Sequence, residues 1–177
     1  IGGGTTDIAV LSLNGIVSSA SIKIAGNTFN EDIVKYIKDK YKLLIGEKTA
    51  EEIKINFTNI NKPDKKIKQE VRGRNLITGL PDSVELTQQE TEEALRESVG
   101  KIIKAATDVL EQTPPELAGD IYEKGVVLTG GGALLNGLVE LLEQNLKIPV
   151  FIAESPLTCV VEGTGMLLDN IKLLDEV

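Results

Sequence analysis

Ile1-Gly2-Gly3-Gly4-Thr5-Thr6-Asp7-Ile8-Ala9-Val10 runs from a glycine triplet through hydroxyl residues into an apolar strand. A second triplet, Gly130-Gly131-Gly132, leaves the apolar run Gly125-Val126-Val127-Leu128-Thr129 and opens onto Ala133-Leu134-Leu135. Residues without a Cβ let backbone N–H groups come close to phosphate oxygens or to the face of an adenine. A helix beginning just after the second triplet would add the positive end of its dipole. Neither triplet is a Walker A loop, because no Gly-Lys-Ser/Thr follows. Neither is a GxGxxG fingerprint, because Asp7 and Leu135 stand where the last glycine belongs. A lone triplet reads equally well as a tight turn. Two of them, each beside an apolar strand, favour a nucleotide cleft.

Composition narrows the function classes. The chain has 177 residues, 26% charged and 41% hydrophobic, enough for one domain or two small lobes with a real core. A net charge of −8 argues against sequence-independent nucleic-acid binding, which needs a basic face. Aromatics at 3% and the absence of Trp leave little for stacking on single strands. With no histidine there is no His-based triad, metal site or general base. The single cysteine, Cys159, sits among apolar neighbours and reads as an inert core thiol. No apolar run approaches the ~18 residues of a membrane span, and no signal peptide is visible. A reduced cytoplasmic setting fits. The sequence starts at Ile1, without Met and inside the first glycine loop, and we expect a fragment of a longer protein.

Along the chain, Ile8–Leu13 and Ile16–Val17 flank Asn14-Gly15, which reads as a hairpin with a type I′ turn. The second strand reaches about Ile24 and breaks at Ala25-Gly26-Asn27. Phe29, Ile33, Tyr36, Ile37, Tyr41 and Leu44 recur at helical spacing, with Gly46 as the stop. Thr49 and Glu52 are spaced as a capping box, and Thr87 and Glu90 repeat that spacing before a long amphipathic helix. Val71–Gly73, Leu76–Gly79 and Val84–Leu86 look like short strands. Pro114-Pro115 ends the long helix. A buried strand to Thr129, a Leu-rich helix, a strand at Val150–Ile152 and a helix from about Leu157 to the end follow. The expected fold is α/β, with a larger lobe from residues 1–25 and 98–177 and a smaller α+β lobe inserted at 26–97.

The first triplet and its surroundings resemble the second phosphate loop of the actin, Hsp70 and sugar-kinase ATPase superfamily. Four further motifs are more specific. They are Leu43-Leu44-Ile45-Gly46-Glu47-Lys48-Thr49-Ala50-Glu51-Glu52-Ile53-Lys54, Val71-Arg72-Gly73-Arg74 with Leu76-Ile77-Thr78-Gly79-Leu80-Pro81, Thr113-Pro114-Pro115-Glu116-Leu117-Ala118, and Val127-Leu128-Thr129-Gly130-Gly131-Gly132-Ala133-Leu134-Leu135. Together they resemble the MreB family of bacterial actin homologues, and cover its second half, domain II. The resemblance implies a cytoplasmic, ATP-dependent filament protein that helps set cell shape. Gly3, Gly4 and Thr5 would contact the β- and γ-phosphates. Glu51, Glu52, Ile53 and Lys54 would lie beside the ribose and adenine, and Gly131, Gly132, Ala133 and Leu134 would line the base pocket. Magnesium would be held through phosphate oxygens and waters, so no metal-ligating side chain is assigned, nor any catalytic one. Asp7 stands where the family commonly has Glu. Partners implied are further copies stacked head to tail, the family's domain I, and the cell-wall machinery, with membrane contact through the other half.

Plainer readings stand beside these. Glu52 could serve only as a capping carboxylate, and Lys54 as a solvated helix lysine. Thr5 and Thr6 could donate to phosphate or merely suit a strand entry. The lysine-rich stretch around Lys65 reads as a solvated loop. At the level of function, a sugar-kinase or Hsp70-like ATPase fragment is the alternative, and a nucleotide-free interaction domain is a third reading. ATP hydrolysis is expected of a full-length protein, not of this half alone.

Overall fold

The computed structural model describes residues 1–13 and 15–169. Strands β1 (Thr6–Ser12) and β2 (Gly15–Ile22) form an antiparallel pair, with Thr6 opposite Ile22 and Ser12 opposite Gly15. Asn14, half of the expected Asn-Gly turn, lies outside the described residues. Side chains alternate along β1, and the pair rests on the long helix α3 (Gln88–Glu111).

Helix α1 (Gly26–Tyr41) buries Phe29, Ile33 and Ile37, the row expected from the spacing. It stops earlier than Gly46. Lys42 takes a left-handed conformation at φ 53°, and its N–H bonds to Lys38 O at 3.0 Å. That turn frees Leu43–Leu44 to form β3, paired with Asn75 and Arg74 on β4 (Lys68–Asn75). Gly46 instead caps the start of α2 (Glu47–Asn56), with Glu47 at the positive end of the helix dipole. Thr49 therefore lies inside the first turn, and the expected Thr49–Glu52 capping box does not form.

Strand β4 pairs antiparallel with β5 (Pro81–Thr87). Leu76–Gly79, expected as a strand, is the turn between them. Asn75 Oδ1 accepts from the N–H groups of Ile77 and Thr78, and Gly79 adopts φ 76°. The second capping box forms as expected: Thr87 Oγ1 accepts from Glu90 N at 3.3 Å, and Glu90 Oε2 accepts from Thr87 N at 2.7 Å. Pro115 opens another helix, α4 (Pro115–Lys124), where its missing N–H costs nothing.

Strand β6 (Val126–Leu128) runs parallel to β7 (Val150–Ile152), and α5 (Leu138–Leu146) connects them. The pair is covered on one side only. Leu128 is buried but Val127 is 61% exposed, which corrects the expectation of a fully buried strand. No α-helix begins at the second triplet. Gly131–Leu134 is a short 3₁₀ turn, and the helix waits until Leu138, after Gly137 at φ 87°. Helix α6 spans Cys159–Asp169, and the rest of the expected terminal helix lies outside the described residues.

One core joins these elements: Phe29, Ile33 and Ile37 of α1, Ile53 of α2, Leu86 of β5, Leu95, Val99 and Ile102 of α3, and Leu128, Leu138 and Leu142. Helix α3 runs without a break through position 97, so the two expected lobes share both a helix and a core.

Candidate functional site

The two glycine triplets touch. Ile1 N donates to Thr129 O at 2.8 Å, and Gly132 N donates to Ile1 O at 2.9 Å. A Cβ on Gly130, which sits at φ 83°, would fall 2.2 Å from Ile1 O, and one on Gly132 would fall 2.4 Å from Ile1 Cγ2. Those two glycines are required by the junction itself. Gly131 is exposed beside them, with Leu157 Cδ2 3.2 Å from its would-be Cβ.

The first loop is also fixed from its other side. Gly26 N donates to Gly2 O at 3.0 Å and Asn27 N donates to Gly3 O at 2.8 Å, so the start of α1 clamps the loop through its carbonyls. A trans peptide holds C=O and N–H on opposite sides. With the Gly2 and Gly3 carbonyls turned to α1, the N–H groups of Gly3 and Gly4 point away from it. Gly3, Gly4 and Thr5 are all exposed, and a Cβ on Gly4 would meet nothing within 4 Å. Open space over outward amides is the cradle an anion needs.

The two threonines part company. Thr6 is buried and donates to Ile24 O at 2.7 Å, a structural bond. Thr5 Oγ1 donates to Asp7 Oδ2 at 2.9 Å, and Ser21 Oγ donates to Asp7 Oδ1 at 2.6 Å. The Ser21 and Thr5 hydroxyls hold the Asp7 carboxyl below the usual carboxylate range. Without a ligand, Thr5 thus spends its exposed hydroxyl on Asp7, a bond a phosphate oxygen would have to compete with.

On α2, Glu51 and Glu52 are exposed, whereas Ile53 is 0% exposed within the core. The Ile53 side chain is thus packed into the core rather than turned to the surface. The same holds for the Ala133 side chain, also 0% exposed, while Leu134 beside it is 51% exposed. Lys54 is neither fully solvated nor free. Its Nζ donates to Gly26 O at 3.1 Å, and burial lowers its pKa while Glu51 and Glu47 raise it. Lys54 thus links α2 to the residue that clamps the first loop. A second link runs from the segment after α2 to the one after the second triplet: Ile60 N donates to Asn136 O at 3.0 Å, and Gly137 packs on Asn59 and Asn61. A depression of about 630 Å³ beside the second triplet is lined by Leu134, Asn136, Phe151 and Ile152 among others.

Gly26 and Asn27 went unread in the sequence except as a strand break. The available signal was a glycine directly before a long amphipathic row, which a close backbone approach would explain. A Cβ on Gly26 would stand 3.3 Å from Gly2 O and 3.5 Å from Lys54 Nζ.

Known proteins resemble this chain in both sequence and fold. The family model described as "MreB/Mbl protein" matches residues 1–176. The cell shape-determining protein Mbl of Bacillus subtilis is 55% identical over 174 residues, covering 98% of this chain and 52% of the relative. The cell shape-determining protein MreB of Escherichia coli is 50% identical over 173 residues, covering 98% of this chain and 50% of the relative. The chain thus spans about half the length of these relatives. Among solved structures, MreB5 of Spiroplasma citri bound to AMPPNP superposes with a TM-score of 0.90 at 40% identity, covering 99% of this chain and 53% of that one. The same protein has been solved bound to ADP. These likenesses establish an actin-like ATPase fold.

Proposed function

The chain belongs to the MreB/Mbl family, and on that premise we propose that it is the nucleotide-binding half of an actin-like cytoskeletal protein that polymerises into ATP-dependent filaments and helps determine cell shape. The observation that carries this reading is the junction of the two glycine loops, with the Gly3 and Gly4 amides turned outward over open space. ATP or ADP takes that space, its phosphates accepting from the Gly3 and Gly4 amides and from the Thr5 hydroxyl once it turns from Asp7. The nucleoside lies toward the exposed Glu51 and Glu52 and toward Gly131, Gly132 and Leu134. Magnesium would be held through the phosphate oxygens and water rather than by side chains of this chain, and would supply charge neutralisation there.

The division into a lobe of residues 1–25 and 98–177 with an insert at 26–97 belongs to this proposal. So does head-to-tail stacking, in which the insert of one copy meets the larger lobe of the next. Such a contact is heterologous and open-ended, as filament growth requires. The other half of the protein completes the cleft and supplies any membrane contact, and the cell-wall machinery is the downstream partner. No helix among the described residues is long and apolar enough to cross a membrane, and the proposed setting is the cytoplasm.

Sedimentation of the full-length protein with and without ATP tests the reading. Pelleting that requires ATP is the expected result. Binding of ATP with no pelleting at any protein concentration would replace the filament by a nucleotide-binding domain of another kind.

A further inference from the structure

Asn27 stands at the start of α1 with its backbone N–H tied to Gly3 O at 2.8 Å. Its carboxamide lies alongside the same residue: Oδ1 is 3.4 Å and Nδ2 3.8 Å from where a Cβ of Gly3 would be. The residue is exposed, and its side chain makes no hydrogen bond among the described residues. The backbone that carries it is nevertheless fixed. Gly26 N holds Gly2 O at 3.0 Å, and Lys54 Nζ holds Gly26 O at 3.1 Å. An exposed amide without a partner, lying beside the bare Cα of Gly3, is available to donate to a ligand that reaches round the loop from its amides, which face away from α1.

We propose that Asn27 is a phosphate-contacting residue of the site, its carboxamide donating through Nδ2 to a phosphate oxygen held by Gly3 and Gly4. This rests on the reading of the glycine junction as a nucleotide site and adds to it a side chain that the family motifs did not assign. The bare Cα of Gly3 has a second consequence here. It leaves the carboxamide room beside the loop, where a side chain longer than a methyl would crowd it. Lys54 also acquires a role as a positioning residue, because it braces the Gly26 carbonyl and so ties the nucleoside side of the cleft to the phosphate side.

The test is ATP and adenosine binding by the full-length protein and by its Asn27→Ala, Asn27→Leu and Asn27→Gln variants, with thermal melts alongside. A hydrogen bond to a charged group is worth roughly tenfold or more in affinity. Asn27→Ala and the near-isosteric Asn27→Leu are expected to weaken ATP about tenfold, with Asn27→Gln recovering part of the loss. Adenosine, which carries no phosphate, should bind all four proteins equally. Unchanged ATP affinity in the Ala and Leu variants would overturn the proposal. An equal loss for ATP and adenosine would also overturn it, since Asn27 would then only shape the start of α1. Absence of ATP binding in the unaltered protein is a distinct result, which would overturn the nucleotide site and this contact with it.

Discussion

At Gly4 a Cβ would meet nothing within 4 Å, whereas at Gly132 it would collide with Ile1. The two glycines look alike in sequence but are required for different reasons. One keeps space free above the loop, and the other lets two stretches of backbone come together. Gly4→Val should therefore leave the fold nearly untouched, within ~0.5 kcal/mol, as for an exposed substitution that breaks no packing. The same change puts a branched side chain into the space over the loop amides, and ATP binding by the full-length protein should be lost. Calorimetric titration paired with a thermal melt checks both halves of that expectation. Unchanged affinity would make the first triplet a plain turn. Thr5 adds a refinement, since its hydroxyl is bonded to Asp7 when no ligand is bound.

Where α1 ends and α3 begins, one carboxylate joins several elements. Glu90 accepts from Thr87 N and Thr87 Oγ1 of the cap, from Lys40 Nζ at 2.8 Å and from the Tyr41 hydroxyl. Burial pushes the Glu90 carboxyl up, but the bonds from Lys40, Tyr41 and Thr87 outweigh it and hold the pKa at about 2. A carboxyl lowered in the folded state stabilises the protein fully above its unfolded pKa and loses that stabilisation as pH falls through its folded one. Glu90→Gln should thus cost on the order of 1–3 kcal/mol at pH 7, with the difference shrinking between about pH 4.5 and pH 2. Urea denaturation of both proteins at pH 7, 4 and 3 measures it, and a pH-independent difference would mean that the carboxylate charge is not what matters. This cap was legible in the sequence because Thr87 and Glu90 meet within one turn. The end of α1 was not, because nothing in a lysine announces a left-handed backbone, and Lys42 adopts one so that β3 can reach β4. The Leu-rich row after the second triplet misled for a similar reason. Leu134 and Leu135 keep helical spacing with Leu138 and Leu142, but Gly137 packs on Asn59 and Asn61 and breaks the row. At the site, the glycine loops could be read because a missing Cβ has local meaning. Gly26 and Asn27 could not, because their significance lies in the carbonyls of Gly2 and Gly3, which only the fold brings to them.

On the scale of the whole molecule, a continuous core coexists with apolar surfaces that the chain leaves uncovered. The core runs from α1 through α3 to α5. Val127, Phe151 and Ile152 stand exposed on β6 and β7, Leu11 and Ile16 near the β1–β2 turn, and Val160 and Val161 on α6. Since the chain spans about half the length of its relatives, we expect these 177 residues, expressed alone, to fold around the shared core yet hydrolyse no ATP above background. Hydrolysis requires water and phosphate to be held in line by groups set in advance around the transferred charge. In the proposed site the groups offered to the phosphates, the loop amides and Asn27, come from this chain alone. On the proposed reading, in which a second half completes the cleft, nucleotide affinity should also be weaker for these residues alone than for the longer protein. Among the described helices, the amides of α6 should exchange fastest, since from Val160 to Met166 every residue is exposed. Phosphate release followed over time, with hydrogen exchange on the same sample, tests the argument. Steady release from the isolated chain, lost on Gly4→Val, would locate the hydrolytic groups within this half and leave the second half with a role in assembly alone.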